Sequence, residues 1–458
     1  MFNVEKKEVY KYIIAAVFLL GAIAWVYIME GGNTSFYLFF AAILGIYMAI
    51  NIGANDVANN MGPAVGSKAI TLTGAIIIAA IFEASGAIIA GGDVVDTIKG
   101  GIINGDQITN QMDLVAIMLS TLLGAAVWLN IATYFKAPVS ATHSIIGALL
   151  GAGIISYGFG IVNWIVVGKI AASWVISPVL GGTIAAILLL SIRRNILKKE
   201  SRGDAAKIWV PVYVGLMSAI FSIYLLIKGL KPLLKSNESL ANIITPSFAL
   251  FAGVVIGILV YIALILHYKK QSSYFKNSKS FINTLFNVPL ICSVALLSFA
   301  HGANDVANAI GPLAAINDIF GNGIEHIQGS KASVEKWIMI LGALGIVVGL
   351  SVFGARLIKT VGGEITKLNQ IRAFCVALSA AVTVLIASQL GLPVSSTHIA
   401  IGGIFGVGLL REHIKRQKGK DKEYIEKAMI KNIALAWIIT LPVSGLISAG
   451  MYFILMKI

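Results

Sequence analysis

The sequence predicts an all-α polytopic membrane protein: two inverted-topology repeats with re-entrant or broken helical hairpins, and about 12 transmembrane helices. Three observations carry that reading. Apolar residues make up 57% of the 458 and charged ones only 12%, against roughly 25% charged in soluble domains. The apolar residues form continuous runs near 20 residues long, which suits helices; a membrane β-barrel would alternate over stretches of roughly ten. Two short polar motifs each occur twice. A soluble chain of this length cannot hide so much apolar surface, so a soluble enzyme, a nucleic-acid-binding domain and a disordered chain are excluded. The net charge of +14 accompanies a mean hydropathy of +0.87. Lys and Arg cluster in short loops between apolar runs, as the positive-inside rule expects, and imply no nucleic-acid partner. Cys292 and Cys375 lie inside apolar runs and read as small core hydrophobes.

Thirteen apolar runs are candidate spans: 11–29, 36–50, 70–90, 112–135, 137–157, 163–190, 208–229, 246–267, 281–300, 337–353, 371–390, 392–410 and 429–457. The first has no convincing small-residue cleavage site and is expected to stay as a span. The fourth and fifth are joined only by Lys136-Ala137-Pro138, the eleventh and twelfth by Gly391-Leu392-Pro393. Each pair is two full spans or a re-entrant hairpin, and either choice leaves the sidedness of the other spans unchanged. With Lys6, Lys7 and Lys11 placed in the cytoplasm, the basic stretch Arg193 to Lys207 falls inside. So do Lys269, Lys270, Lys276 and Lys279, then Arg356, Lys359, Lys367 and Arg372, and the run 411–431, read as a solvated helix or loop. The loop with Asp93, Asp96, Asp106 and Asp113 falls outside; Lys228, Lys231 and Lys235 are exceptions to the rule.

The repeat is legible in the motifs. Residues 53–63 and 302–312 agree at nine of eleven positions: Gly-Ala-Asn-Asp-Val-Ala-Asn, two variable residues, then Gly-Pro. Pro138-Val-Ser-Ala-Thr-His143 matches Pro393-Val-Ser-Ser-Thr-His398, and Trp174…Pro178 more weakly matches Trp437…Pro442. The expected organisation is an N-terminal span over 1–35, repeat one over 36–190, linking spans and cytoplasmic loops over 191–280, and repeat two over 281–458. The repeats begin an odd number of spans apart, so they enter the membrane from opposite sides. Inverted repeats are the architecture of many secondary transporters, with a site at the midplane where the copies meet.

Asp56 and Asp305 are the telling residues of the first motif. An ionised Asp at membrane depth costs about 2.5–3.5 kcal/mol even on the mild insertion scale, so it serves a cation or lines a wet cavity. Asn55, Asn59, Asn304 and Asn308 add amide oxygens, and Gly53 and Gly62-Pro63 are expected to let the helix unwind and expose carbonyls. Such oxygens suit a hard cation such as sodium; a transition metal prefers His or Cys. The plainer reading of each motif is a helix cap.

The second motif reads as a helix start, with proline in the first turn and hydroxyls nearby. A helix N-terminus at membrane depth is an anion site, and phosphate is its commonest occupant. His143 and His398 are expected to make local structural hydrogen bonds; Ser140–His143 has no orienting acid and does not suggest a hydrolase. Glu83 lies mid-span and should face protein or water. Gln389 is a weaker polar candidate.

These duplicated signatures, Gly53–Pro63, Gly302–Pro312, Pro138–His143 and Pro393–His398, resemble those of the inorganic phosphate transporter (PiT) family across nearly the whole chain. The resemblance implies a sodium- or proton-coupled phosphate symporter, not an enzyme, with no cofactor beyond the coupling ion and with a homodimer as its assembly. Its partners are then inorganic phosphate, sodium and the lipid bilayer. The phosphate set is Ser140, Ala141, Thr142, Ser395, Ser396 and Thr397 with Asn55 and Asn304; the sodium set is Asp56, Asn59, Asp305, Asn308 and Glu83. Glu83 falls where the family has a glutamate important for transport, and Ala377 is read as occupying the position of a second one. The short central loop 268–280 and the Ile- and Lys-rich composition point to a prokaryotic inner membrane, with the N-terminus cytoplasmic. Proton-coupled symport of phosphate or a metal–phosphate complex, sulfate permeation and a passive anion channel are the alternatives.

Overall fold

A computed structural model describes residues 6–29, 35–134, 139–234, 238–270, 275–323, 334–360, 368–417 and 427–457. Lys136, Ala137, Pro138, Lys235, Lys367 and residues 418–426 lie outside the described residues, as do the side chains of Lys6, Lys7, Asp106 and Trp437. Among the described residues the regular secondary structure is helical, apart from one isolated antiparallel bridge between Ile103 and Val162.

The first half comprises α1 (Lys6–Met29), α2 (Phe36–Gly66), α3 (Leu72–Ala90), α4 (Gly92–Asp96, continued by a π-turn over Thr97–Gly101), α5 (Gln111–Tyr134), α6 (Ala141–Tyr157) and α7 (Trp164–Ile192). Two linking helices, α8 (Arg202–Tyr224) and α9 (Pro246–Lys270), pack closely, with Gly215 facing Gly257. Small residues at such a crossing let two backbones approach where lipid offers no hydrophobic drive. The second half comprises α10 (Lys279–Leu285), α11 (Asn287–Asn322), α12 (Lys336–Val352), α13 (Gly354–Thr360), α14 (Gln370–Gln389), α15 (Ser396–Arg416) and α16 (Lys427–Leu455). Among the described residues, each of the thirteen expected runs overlaps a helix. Ten helical segments among these residues are long and apolar enough to span a bilayer, and α6 and α12 are shorter apolar helices. Large apolar side chains stay exposed on α3 (Ile77, Ile81), α7 (Val175, Val179) and α9 (Phe251, Leu259); such faces suit lipid, not water.

Matching elements of the two halves pack reciprocally. α2 lies against α12 and α13, and α11 against α3 and α4; α6 lies against α16, and α15 against α7. Contacts climb together along both partners, from Ile46 beside Gly345 to Val57 beside Gly354, so α2 runs parallel to α12–α13. The first helix of one half thus runs parallel to the second helix of the other, as copies inserted from opposite sides require.

Two expectations are corrected by this packing. The Gly-Ala-Asn-Asp motifs neither unwind nor end their helices: α2 and α11 run on through Pro63 and Pro312. Gly53 and Gly302 serve close approach instead. A Cβ on Gly53 would overlap the Ile346 carbonyl, and one on Gly302 would overlap the Glu83 carbonyl. Ala377 is also not the partner of Glu83. It lies on α14, the counterpart of α5, whereas Glu83 meets Gly302 just as Ile346 meets Gly53. Ile346 answers Glu83. Apolar spans without a polar anchor cannot be placed in register by sequence, and only the helix contact sets it.

Gly302→Ala is expected to lower stability by about 1–3 kcal/mol, because the added methyl meets backbone that cannot swing aside. The thermal unfolding midpoint of the purified protein measures this; an unchanged midpoint would show that α3 and α11 separate freely.

On the expected outer side, Lys228 pairs with Asp93 and the buried Lys99 pairs with Asp318. The exception that Lys228 makes to the charge rule thus has a local counter-ion.

Candidate functional site

The site forms where α2 and α11 cross beside the tips of two hairpins, α5–α6 and α14–α15. At the second tip the chain reverses through Gly391, whose φ of +66° is the left-handed conformation glycine tolerates. Thr97 Oγ1 donates to the Gly391 carbonyl at 2.7 Å, and Trp174 Nε1 donates to the Pro393 carbonyl at 3.2 Å. Elements of the first half therefore hold the turn of the second.

Ser140 and Ser395 are the N-caps of α6 and α15, accepting from the backbone N–H of His143 at 3.2 Å and of His398 at 3.3 Å. For these two hydroxyls the capping role holds. Pro393 stands outside the helix, two residues before its cap, not in the first turn. The caps leave the first backbone N–H groups of each helix, at Ala141, Thr142, Ser396 and Thr397, without acceptors in the helical ladder. All four residues are buried. The two tips touch: Thr142 Oγ1 donates to the Val394 carbonyl at 3.0 Å. The His143 and His398 rings meet at 4.5 Å between centroids, and His143 Nδ1 lies 2.9 Å from Ser140 Oγ, the local contact expected of it.

The motif helix of each half binds the hairpin of the other. Asn59 donates to Thr397 Oγ1 at 2.8 Å, and its counterpart Asn308 donates to Thr142 Oγ1 at 3.1 Å. Thr397 Oγ1 lies 3.5 Å from Asp56 Oδ1, and Ser396 Oγ donates to Asp305 Oδ2 at 3.1 Å. Asn304 works within its own half. Its amide donates to Ser388 Oγ and to the Leu392 carbonyl, both at 3.0 Å, and its oxygen accepts from the Val394 N–H at 3.1 Å. Its counterpart Asn55 is half-buried, and the matching turn falls at 135–138, outside the described residues. Gln389 is exposed and takes no part; its buried neighbour Ser388 does.

A charged cluster sits beside the tips, and its central member escaped the sequence reading. His301, fully buried, lies 2.8 Å from Asp305 Oδ2, 3.8 Å from Asp56 Oδ2 and 3.3 Å from Glu83 Oε2. Asn60 donates to the other Glu83 oxygen at 2.9 Å. Asp56, Asp305 and Glu83 are each at most 2% exposed. The ligating atoms of Asp56, His301 and Asp305 lie within 4.8 Å of one another. Buried Asp305 Oδ1 and Asn308 Oδ1 accept no hydrogen bond from the described residues. Oxygens left in this way are expensive unless a ligand or water satisfies them.

This cluster breaks the pseudo-symmetry at three related places. Ile52 answers His301, Ala309 answers Asn60 and Ile346 answers Glu83. One copy of the position is wholly apolar and the other wholly polar, as the mutual need of buried charges for partners demands. Two signals were available in the sequence: a histidine directly before the second motif, and Asn60 against Ala309 where the copies differ.

The fold and this buried centre define a polytopic membrane transporter. The chain belongs to the phosphate transporter family, whose profile matches residues 52–448. A candidate phosphate permease of Helicobacter pylori is 50% identical over 413 residues, covering 90% of this chain and 76% of that protein. One from Thermococcus kodakarensis is 39% identical over 422 residues, covering 92% of this chain and 98% of that protein. A solved structure described as the sodium-dependent phosphate transporter is 33% identical and superposes with a TM-score of 0.83, covering 93% of this chain and all of that one.

Proposed function

We propose that this protein imports inorganic phosphate across a prokaryotic inner membrane by sodium symport. One observation carries the reading: two helix N-termini, α6 and α15, meet tip to tip beside the buried carboxylates Asp56 and Asp305. The N-termini and the hydroxyls of Thr142, Ser396 and Thr397 suit a tetrahedral oxyanion. The carboxylates and the amide oxygens of Asn59 and Asn308 suit hard cations beside it. Sodium there balances charge that would otherwise repel phosphate from a site with three acids. Ser140 serves as a helix cap, so the reading assigns no nucleophile and no catalytic step. The relative described as sodium-dependent supports the choice of ion.

A second reading rests on His301, a protonatable group among three carboxylates: the driving ion is then a proton. Radiolabelled phosphate uptake into proteoliposomes, with sodium and proton gradients imposed separately, decides between them. Uptake driven by sodium alone is expected; uptake driven only by a proton gradient overturns sodium symport.

Thr142→Val and Thr397→Val keep shape and remove one hydroxyl from each tip. Each is expected to weaken phosphate binding about 10- to 150-fold, the equivalent of about 1.5–3 kcal/mol for a hydrogen bond to a charged group. Binding measured in the purified protein at fixed sodium tests this. An effect from one half alone would remove the shared site.

A further inference from the structure

A second cluster of charge lies away from this centre. An open cavity of about 430 Å³ lies between the end of α7 and the hairpin α14–α15. Four cationic side chains line it: Arg193, Arg372, Arg411 and Lys415. All four are half-buried, whereas Arg194, Lys198 and Arg416 nearby are exposed. Arg372 is held in place, its Nε donating to Asn369 Oδ1 at 2.7 Å. Asn369 is also the N-cap of α14, so the positive end of that helix opens toward the same cavity. Arg411 and Lys415 stand one turn apart on one face of α15.

The charge rule explains why cations lie on this face, which it places in the cytoplasm. It does not explain why four of them converge, half-buried, on one cavity. Nor does the fold demand them. Counted from Pro138 and Pro393, the residues of the first half that answer Arg372, Arg411 and Lys415 are Ile117, Ser156 and Gly160. Sixteen residues of α14 separate Arg372 from Ser388, about 24 Å along a helix, so this is not part of the transport centre.

We propose that this cavity binds a phosphate-rich anion of several charges, either a soluble polyphosphate or the headgroup of an anionic lipid. Guanidinium groups match phosphate oxygens in pairs and lose less on desolvation than ammonium groups. The volume exceeds what one phosphate fills, so an anion of several linked phosphates fits it. The inference is independent of the coupling ion, and its test does not use transport.

The experiment is calorimetric titration of tripolyphosphate into the full chain in zwitterionic nanodiscs, with saturating sodium and inorganic phosphate filling the transport site. Binding is expected, weakened about tenfold by Arg193→Gln and by Arg411→Gln, in line with the loss of one charge-assisted contact. Arg194→Gln and Lys198→Gln, outside the cavity wall, should bind as the parent does. A second arm uses nanodiscs containing phosphatidylglycerol without tripolyphosphate. A rise in unfolding midpoint seen for the parent and lost in the wall variants assigns the site to lipid. The ligand-free midpoint of each variant reports folding, with Lys415→Gln as the substitute for a wall variant that fails. If neither probe separates wall variants from controls, the site is refuted.

Discussion

Asp305→Asn is expected to reduce sodium-driven phosphate uptake to below about 1% of the parent while the protein still inserts and folds. The carboxylate stands at the junction of both systems in the site. One oxygen meets His301 at 2.8 Å and Ser396 Oγ at 3.1 Å; the other accepts nothing from the described residues. The amide keeps the size but removes the charge and turns one acceptor into a donor. A fall to about 1% corresponds to about 2.7 kcal/mol, which the loss of one or two charge-assisted contacts at about 1.5–3 kcal/mol each supplies. Asp56→Asn should behave alike through Thr397, 3.5 Å from its carboxylate. Uptake of labelled sodium and phosphate into proteoliposomes measures both variants. Normal rates with unchanged sodium dependence in both would dissolve the cation assignment.

Glu83→Gln is expected to separate binding from transport. Its carboxylate touches neither hairpin tip in the described contacts; it reaches Asn60 and His301. A glutamine can still accept from Asn60, so the fold should survive. It no longer offers a negative charge to His301, which also faces Asp305 and Asp56. Phosphate affinity should therefore change by less than about threefold, below ~0.7 kcal/mol, while the uptake rate falls at least about tenfold. Equal losses in both would place Glu83 in the phosphate site or in folding. His301→Gln on the same background supplies the control: if the two residues act together, the double variant should lose little beyond the worse single one.

Membrane residence, helical class, the duplication and its inversion were all legible in the sequence. Each depends on properties that add along the chain: apolar run length, charge by loop and motif identity. The three buried carboxylates of the candidate site, Asp56, Asp305 and Glu83, stood out in the sequence because a carboxylate at membrane depth is costly wherever it stands. Tertiary structure alone decided which donors meet. The motif helix of one half grips the hairpin of the other, Asn59 with Thr397 and Asn308 with Thr142, and no spacing along the chain encodes a contact across 338 or 166 residues. Structure also decided that Gly53 and Gly302 bring helices together without unwinding them, because what a missing Cβ is for depends on the neighbour it would strike. It set Ile346, not Ala377, opposite Glu83 and drew His301 into the centre. Burial prices a charge by its surroundings, and those exist only once the two halves have packed.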